Sequence, residues 1–157
     1  MRIKGLQMEN FQDYKKCSML IGTAFCDWKC CKECGQNICQ NSSLAQSPYV
    51  DIADEELVNL YMNNPINSAI IFGGLEPFEQ YEEMFNLIKL FRTKTNDDII
   101  IYTGFYKEEI EDKIQQLCKF NNIIVKYGRF IPNAKHKFDD ILGVELASSN
   151  QYAEKIS

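Results

Sequence analysis

The sequence predicts an α/β fold built on a mostly parallel sheet, and three observations support that class. Short apolar runs alternate along the chain with longer segments whose apolar residues recur at helical spacing. The short runs are continuously apolar, as is typical of strands that are covered on both faces. Glycine or other small residues follow them directly, where a strand must turn into the next element. Such alternation favours parallel strands packed against helices.

The first half of the chain is predicted to contain two strands and one helix. The residues up to Lys16 mix polar, charged and apolar types, and they are predicted to form a surface approach, a segment that runs along the surface to the first strand. Residues 17–25 (CSMLIGTAF) are the first apolar run and therefore the first predicted strand. A helix is predicted over residues 51–64, because acidic residues favour its start and apolar residues follow at helical spacing. Residues 68–72 (SAIIF) form the second strand.

The second half continues the same alternation. A helix is predicted over residues 79–93, whose apolar side chains form one stripe. Residues 98–102 (DIIIY) are the third strand, residues 107–120 an acidic-started helix, and residues 122–126 the fourth strand. The tail is less regular, with one short strand predicted at residues 143–146.

Three segments are expected to meet at one edge of the predicted sheet. Each follows a predicted strand: the cysteine-rich loop of residues 25–44, the pair Gly73-Gly74 and the pair Thr103-Gly104. Ligands of parallel α/β sheets collect at the carboxyl ends of the strands. The sequence therefore predicts a binding site where these three segments come together.

Length and composition predict one globular domain over residues 1–157. The chain has 45% hydrophobic and 25% charged residues, and no repeat or linker divides it. Its net charge of −5 disfavours a nucleic-acid partner held mainly through phosphates. The first residues lack a signal-peptide core and no apolar run approaches the length of a membrane span, so a cytoplasmic protein without a membrane partner is expected.

Cysteines are the most informative residues of the chain. There are seven, and five of them lie within the loop of residues 25–44, at Cys26, Cys30, Cys31, Cys34 and Cys39. In a reducing compartment this number and density favour metal binding or redox chemistry over a disulfide framework.

The spacing of the cysteines leaves three functions open. A zinc site could combine the C-x2-C pair Cys31 and Cys34 with Cys26 and Cys30, although structural zinc sites usually draw two such pairs from separate turns. An iron-sulfur cluster held by thiolates is the second possibility. The third is a thiol redox protein that uses Cys31 and Cys34.

The order of several short motifs resembles that of the radical S-adenosylmethionine enzymes. A strand is followed by C-x3-C, then by a further cysteine, and the next strand ends in a turn similar to G-G-E-P. More closely, the chain resembles the activating proteins of anaerobic ribonucleotide reductase, which are glycyl-radical activases. The matching stretches are residues 39–42 (CQNS), 73–77 (GGLEP), 102–105 (YTGF), 127–130 (YGRF) and 148–151 (SSNQ).

The resemblance implies a partial (β/α) barrel of mostly parallel strands and a [4Fe-4S] cluster held by three thiolates. The implied ligands are Cys26, Cys30 and Cys39, with Cys34 as the alternative third ligand; a set of Cys26, Cys31 and Cys34 ranks behind both. Cys39 is favoured because an apolar residue precedes it and Gln40-Asn41 follows it, as in the resembled family. The family has two residues between its second and third cysteines, so the segment of residues 31–38 would be an insertion.

Three thiolates leave the fourth iron of the cluster free to bind a substrate that has an amine and a carboxylate. In the resembled enzymes this substrate is S-adenosylmethionine, which is cleaved reductively to give a 5′-deoxyadenosyl radical. The resemblance assigns Gln40, Asn41, Gly73, Gly74 and Glu76 to the binding of S-adenosylmethionine.

Two partners are implied by the same resemblance. The first is a glycyl-radical enzyme such as anaerobic ribonucleotide reductase, and the second is a flavodoxin-like or other electron donor. Tyr127 stands where the family has the aspartate of a D-G pair, which leaves the identity of the radical acceptor open.

Overall fold

A seven-stranded mixed sheet forms the centre of the structure, a computed structural model that describes residues 1–157. The strands are β1 (Arg2–Asn10), β2 (Ser18–Thr23), β3 (Val50–Asp51), β4 (Ala69–Gly74), β5 (Asp98–Tyr102), β6 (Ile123–Tyr127), β7 (Lys137–Asp139), β8 (Val144–Leu146) and β9 (Tyr152–Lys155). The helices are α1 (Lys29–Cys34), α2 (Ser42–Gln46), α3 (Asp54–Met62), α4 (Tyr81–Phe91) and α5 (Glu111–Leu117), with 3-10 turns at Pro77–Gln80 and Lys107–Glu109.

The strand order of the central sheet is β3-β1-β2-β4-β5-β6-β9, and β7 and β8 form a separate two-stranded sheet. Strands β2, β4, β5 and β6 run parallel to one another. The outer strands pair in the antiparallel sense, β1 with β2 and β3, and β9 with β6. The architecture is therefore mixed α/β with a parallel centre and an open strand order.

The four parallel strands and the three long helices predicted from the sequence are confirmed. Strand β5 has the predicted bounds, whereas the predicted helices over residues 79–93 and 107–120 each begin with a 3-10 turn before α4 and α5. The prediction of a surface approach before Lys16 is wrong, because β1 pairs with β2 along most of its length. An open sheet with antiparallel edges does not establish the partial barrel, which stays a prediction.

The two faces of the sheet are covered differently. Alternate strand residues such as Ile70, Phe72 and Ile101 pack with the buried faces of α3, α4 and α5 in a cluster of 24 buried residues. Their neighbours, such as Ile71 and Ile100, belong to a second cluster of 8 buried residues on the face that carries no long helix. This thinner cover leaves room for a cavity beside the strands.

Both termini of the described chain contribute to the sheet. The amino group of Met1 donates to the Ile52 carbonyl at 2.6 Å and to Asp54 Oδ1 at 2.9 Å, which fixes β1 beside α3.

No helix of the structure has the length and apolar character needed to cross a membrane.

Candidate metal centre

A cavity of about 520 Å³ opens beside the carboxyl ends of the parallel strands. Gly22 of β2, Gly73 and Gly74 of β4, Tyr102 of β5 and Lys126 of β6 line it. Segments from both ends of the chain complete its walls, from Gly5 in β1 to Gln151 before β9. The predicted site at the strand ends is thus a concave space of the size that small molecules occupy.

Three of the five loop cysteines line this cavity. Cys26 follows β2, Cys30 lies in α1, Cys39 lies between α1 and α2, and all three are half-buried. Cys31 lines a separate shallow depression beside Trp28, and Cys34 is exposed and does not line the main cavity. In the structure no three Cys, His, Asp or Glu side chains are grouped closely enough to hold a single metal ion.

Burial governs the chemistry of the cavity thiols. It raises the pKa of Cys26 to about 12, although the backbone N–H of Trp28 donates to Cys26 Sγ at 3.3 Å and opposes the shift. Burial also raises the pKa of Cys30, against the backbone N–H of Phe130 and the charge of Arg129. Both thiols therefore hold their protons until a metal displaces them, and metal binding at this site would release protons.

Gly74 brings the cavity wall into contact with the segment after Cys39. Its φ of +83° is in the left-handed region, and a Cβ there would lie 3.0 Å from Gly22 Cα. The Asn41 amide donates from Nδ2 to the Gly74 carbonyl at 2.6 Å. The two predicted binding segments, residues 39–42 and 73–77, are thus joined directly.

Glu76 is the buried acid of the cavity and is 5% exposed. Its Oε1 accepts from Thr103 Oγ1 at 2.7 Å and from the Phe78 N–H at 3.1 Å, and its Oε2 accepts from the Gly104 N–H at 2.8 Å. Burial raises the pKa of Glu76 to about 7 in spite of these donors. The carboxylate joins the ends of β4 and β5, and Oε2 keeps room for one more donor.

Lys126 is the buried base of the same cavity and is 7% exposed. Its Nζ donates to the Gly128 carbonyl at 3.2 Å, which uses one of the three protons of the ammonium group. Burial lowers the pKa of Lys126 to about 8, while Glu76 and Cys30 act in the opposite direction. The cavity therefore contains one buried carboxyl group and one buried amine, each with hydrogen-bonding capacity left over.

Residues 127–130 and 148–151, two stretches that carry the family resemblance, are hydrogen-bonded to each other. Gln151 Nε2 donates to the Gly128 carbonyl at 3.2 Å, and Asn150 Nδ2 donates to the Arg129 carbonyl at 2.9 Å. Gly128 has a φ of +100°, and a Cβ there would lie 3.3 Å from the Asn150 carbonyl oxygen. This seam, defined as residues 127–130 with residues 148–151, closes one side of the cavity.

Apart from Cys31 and Cys34, which belong to the alternative ligand sets, all of the residues proposed from the sequence as ligands or binders line the one cavity: Cys26, Cys30, Cys39, Gln40, Asn41, Gly73, Gly74 and Glu76. Whether they bind a cluster and S-adenosylmethionine stays a prediction. The sequence reasoning placed Thr103-Gly104 at the site but missed Lys126 and the bond from Thr103 to Glu76. A lysine near the end of an otherwise apolar strand was the available signal for Lys126, whereas no spacing along the chain indicates the bond between Thr103 and Glu76.

The strand ends, the cavity and the three cysteines that line it define a class of protein, an α/β domain with a cysteine-lined cavity at the carboxyl ends of its parallel strands. The model of a protein family described as a 4Fe-4S single cluster domain matches residues 16–152, which is most of the chain. The protein belongs to this family, and a [4Fe-4S] cluster-binding domain is indicated. No curated protein and no solved structure matches the chain.

Proposed function

We propose that the protein binds one [4Fe-4S] cluster through Cys26, Cys30 and Cys39 and uses it to cleave S-adenosylmethionine reductively. The single observation that carries the proposal is the sharing of one cavity by these three cysteines and the five residues assigned to S-adenosylmethionine. A radical generator of this kind is an oxidoreductase. The family match favours a [4Fe-4S] cluster over the zinc alternative.

The choice of Cys39 as the third ligand is supported by its surroundings. Cys39 lines the cavity, and Asn41, two residues further on, is bonded to Gly74 on the opposite wall. Cys34, the alternative third ligand, is exposed and lies outside the cavity, and Cys31 borders the shallow depression. Cys26, Cys30 and Cys39 are therefore the three loop cysteines that share the cavity.

When bound, a reduced cluster of this kind supplies the electron that splits the sulfonium C–S bond of S-adenosylmethionine into methionine and a 5′-deoxyadenosyl radical. The residues of the chain bind and orient S-adenosylmethionine. Lys126 is suited to the carboxylate of the methionine portion, because its ammonium group has two free protons in a buried setting. Glu76 Oε2 is suited to the amino group, and Gly73 lets the backbone approach without a side chain in the way.

The proposed radical acceptor is a glycyl-radical enzyme such as anaerobic ribonucleotide reductase, with a flavodoxin-like or other small protein as electron donor. The support is the order of residues 102–105, 127–130 and 148–151, which follows that of the activases and borders the cavity. The partial barrel expected for such enzymes is part of the same proposal. It draws on the four parallel strands and the placement of the long helices on one face.

Anaerobic reconstitution followed by metal and sulfide analysis tests the cluster. We expect about four irons and four sulfides per chain, since a [4Fe-4S] cluster is held as one unit. Cys39→Ala should lose the cluster, and the matched control Cys34→Ala should keep it. Stoichiometric zinc without sulfide would overturn the proposal, and the reverse result for the two variants would overturn the ligand assignment.

Reductive cleavage is tested separately by incubating the reduced, reconstituted protein with S-adenosylmethionine and measuring 5′-deoxyadenosine. We expect Lys126→Met to keep full cluster content but to bind S-adenosylmethionine at least tenfold more weakly. A cluster that yields no 5′-deoxyadenosine would leave a non-catalytic iron-sulfur module. Formation of 5′-deoxyadenosine without a glycyl radical on anaerobic ribonucleotide reductase would remove that enzyme as the acceptor.

A further inference from the structure

Helix α1, which carries Cys30, has only local anchors at its two ends: Asp27 Oδ1 accepts from the Lys29 N–H at 3.1 Å, and Gly35 caps the C-terminus in the left-handed conformation. The helix is six residues long, none of its residues is buried, and its N-cap residue Trp28 makes no side-chain capping bond. Isolated helices of this length are not stable in water, so tertiary contacts must hold α1 in place.

The contacts that hold α1 are ionic and converge on Arg129. This arginine is 4% exposed, and its Nε lies 2.8 Å from Oε1 of Glu33, a residue of α1. The guanidinium donates from Nη1 and Nη2 to the two carboxylate oxygens of Glu109, at 2.7 Å and 2.6 Å. Lys29, the first residue of α1, reaches the same carboxylate at 3.4 Å and lies over the Phe105 ring, 4.0 Å from its centroid. Four residues, Arg129, Glu33, Glu109 and Lys29, together form a clamp on α1.

The clamp connects α1 to the wall that faces the Cys30 sulfur. Arg129 Nη1 also donates to the Gly104 carbonyl at 3.3 Å, and its guanidinium lies 4.7 Å from the centroid of the Tyr106 ring. A Cβ on Gly104 would lie only 3.3 Å from Cys30 Sγ, so this stretch of backbone is the immediate neighbour of the thiol. The buried guanidinium thus holds α1 by charge at Glu33, where Nε makes no hydrogen bond, and holds the Gly104 backbone by a hydrogen bond, which fixes the two relative to each other.

We propose that Arg129 is a positioning residue for Cys30, acting through the clamp to hold α1 so that the Cys30 sulfur lies in the cavity. Glu33 lies in the segment of residues 31–38, between the proposed ligands Cys30 and Cys39. Glu33 therefore attaches that segment to the buried Arg129 by charge. The role toward a cluster rests on the proposed function, whereas the role toward α1 does not.

Hydrogen–deuterium exchange of the metal-free protein tests the clamp directly. Glu33→Gln removes the charge of one of the two α1 residues in the clamp, at a side chain that is 56% exposed, so the fold is expected to survive it. We expect amides of α1 to exchange at least tenfold faster in Glu33→Gln and in Arg129→Met, with amides of α4 unchanged. Lys107→Met, which removes the ion pair between Lys107 and Glu154 at 2.8 Å, is the matched control and should leave α1 unchanged. Unchanged α1 exchange in both clamp variants would overturn the proposal.

Cluster uptake gives a second, independent measurement. Iron and sulfide per chain should fall at least twofold in Arg129→Met, and Arg129→Lys should restore part of the loss because it keeps the positive charge. Equal uptake by the wild type and Arg129→Met would refute the role toward Cys30. A wild type that takes up no cluster would refute the proposed function instead, and the exchange experiment would still decide the clamp.

Discussion

Two adjacent glycines at the cavity allow a sharp prediction, because their surroundings differ. Gly74 has a φ of +83°, and an added Cβ would lie 2.9 Å from Leu44 Cδ2 and 3.0 Å from Gly22 Cα. At Gly73 the nearest atom to an added Cβ is Tyr102 Cβ at 3.6 Å, an ordinary contact, and φ is not in the left-handed region. Gly74→Ala should therefore destabilise the fold, and Gly73→Ala should not.

The magnitudes follow from these contacts. Holding alanine in the left-handed region costs about 1–2 kcal/mol. Crowding against the Gly22 backbone, which cannot rotate away as the Leu44 side chain can, adds about 1–3 kcal/mol. We expect Gly74→Ala to lower the free energy of unfolding by about 2–5 kcal/mol, the range that the two contributions give together. Gly73→Ala should change it by less than about 1 kcal/mol, because the smaller entropy of the unfolded chain offsets minor crowding.

Denaturant unfolding of the metal-free, reduced protein measures both variants, with Tm as a second readout that falls roughly 3 °C for each kcal/mol. Since Gly73 lines the cavity, the same Gly73→Ala protein should bind S-adenosylmethionine more weakly while its stability is retained. Equal destabilisation by the two substitutions would refute the reasoning. So would a Gly74→Ala protein as stable as the wild type.

Three further predictions concern the loss of folding stability at low pH, the hydrophobic core and the cavity wall. The hydrogen bonds from Arg129 lower the pKa of Glu109 to about 2, so its ionised form stabilises the fold fully above pH 4.5 and loses this effect as the pH falls toward 2. After discounting for solvent screening, Glu109→Gln should cost on the order of 1 kcal/mol at pH 7 and only a small fraction of that at pH 2, measured by denaturant unfolding at each pH. Phe91→Ala should cost about 3–5 kcal/mol in the same assay at pH 7, because the ring is fully buried, whereas the exposed Phe11→Ala should stay within about 0.5 kcal/mol. Asn41→Ala removes the bond to the Gly74 carbonyl and should cost about 0.5–1.5 kcal/mol, together with a loss of S-adenosylmethionine affinity seen by calorimetry.

The parallel centre of the sheet could be predicted because its signals are local. Strands β4, β5 and β6 are short apolar runs buried on both faces, and each is followed or preceded by a helix with one apolar stripe. Strand β1 was missed because charged and polar residues interrupt it, and its burial depends on pairing with β2. Strand β9 is four residues long with one buried side chain, which is too little pattern to identify.

The sequence predicts which segments form the site, but it does not predict which charged side chains contact one another there. The cysteine loop, Gly73-Gly74 and Thr103-Gly104 do meet at the carboxyl ends of the strands, as parallel topology requires. Helix α1 was missed because ion pairs hold it, and hydrophobic periodicity carries no signal for them. The roles of Lys126 and Arg129 depend on distances to Gly128 and Glu109 that no spacing along the chain encodes.

The seam between residues 127–130 and 148–151 bears on the order of events during synthesis. The loop cysteines leave the ribosome more than a hundred residues before Asn150 and Gln151, which supply the bonds that close that side of the cavity. A chain arrested before residue 148 would carry all the proposed ligands on a site with one wall absent. Insertion of a cluster is therefore expected to follow the synthesis of residues 148–151, because until then the cavity lacks the wall that these residues close.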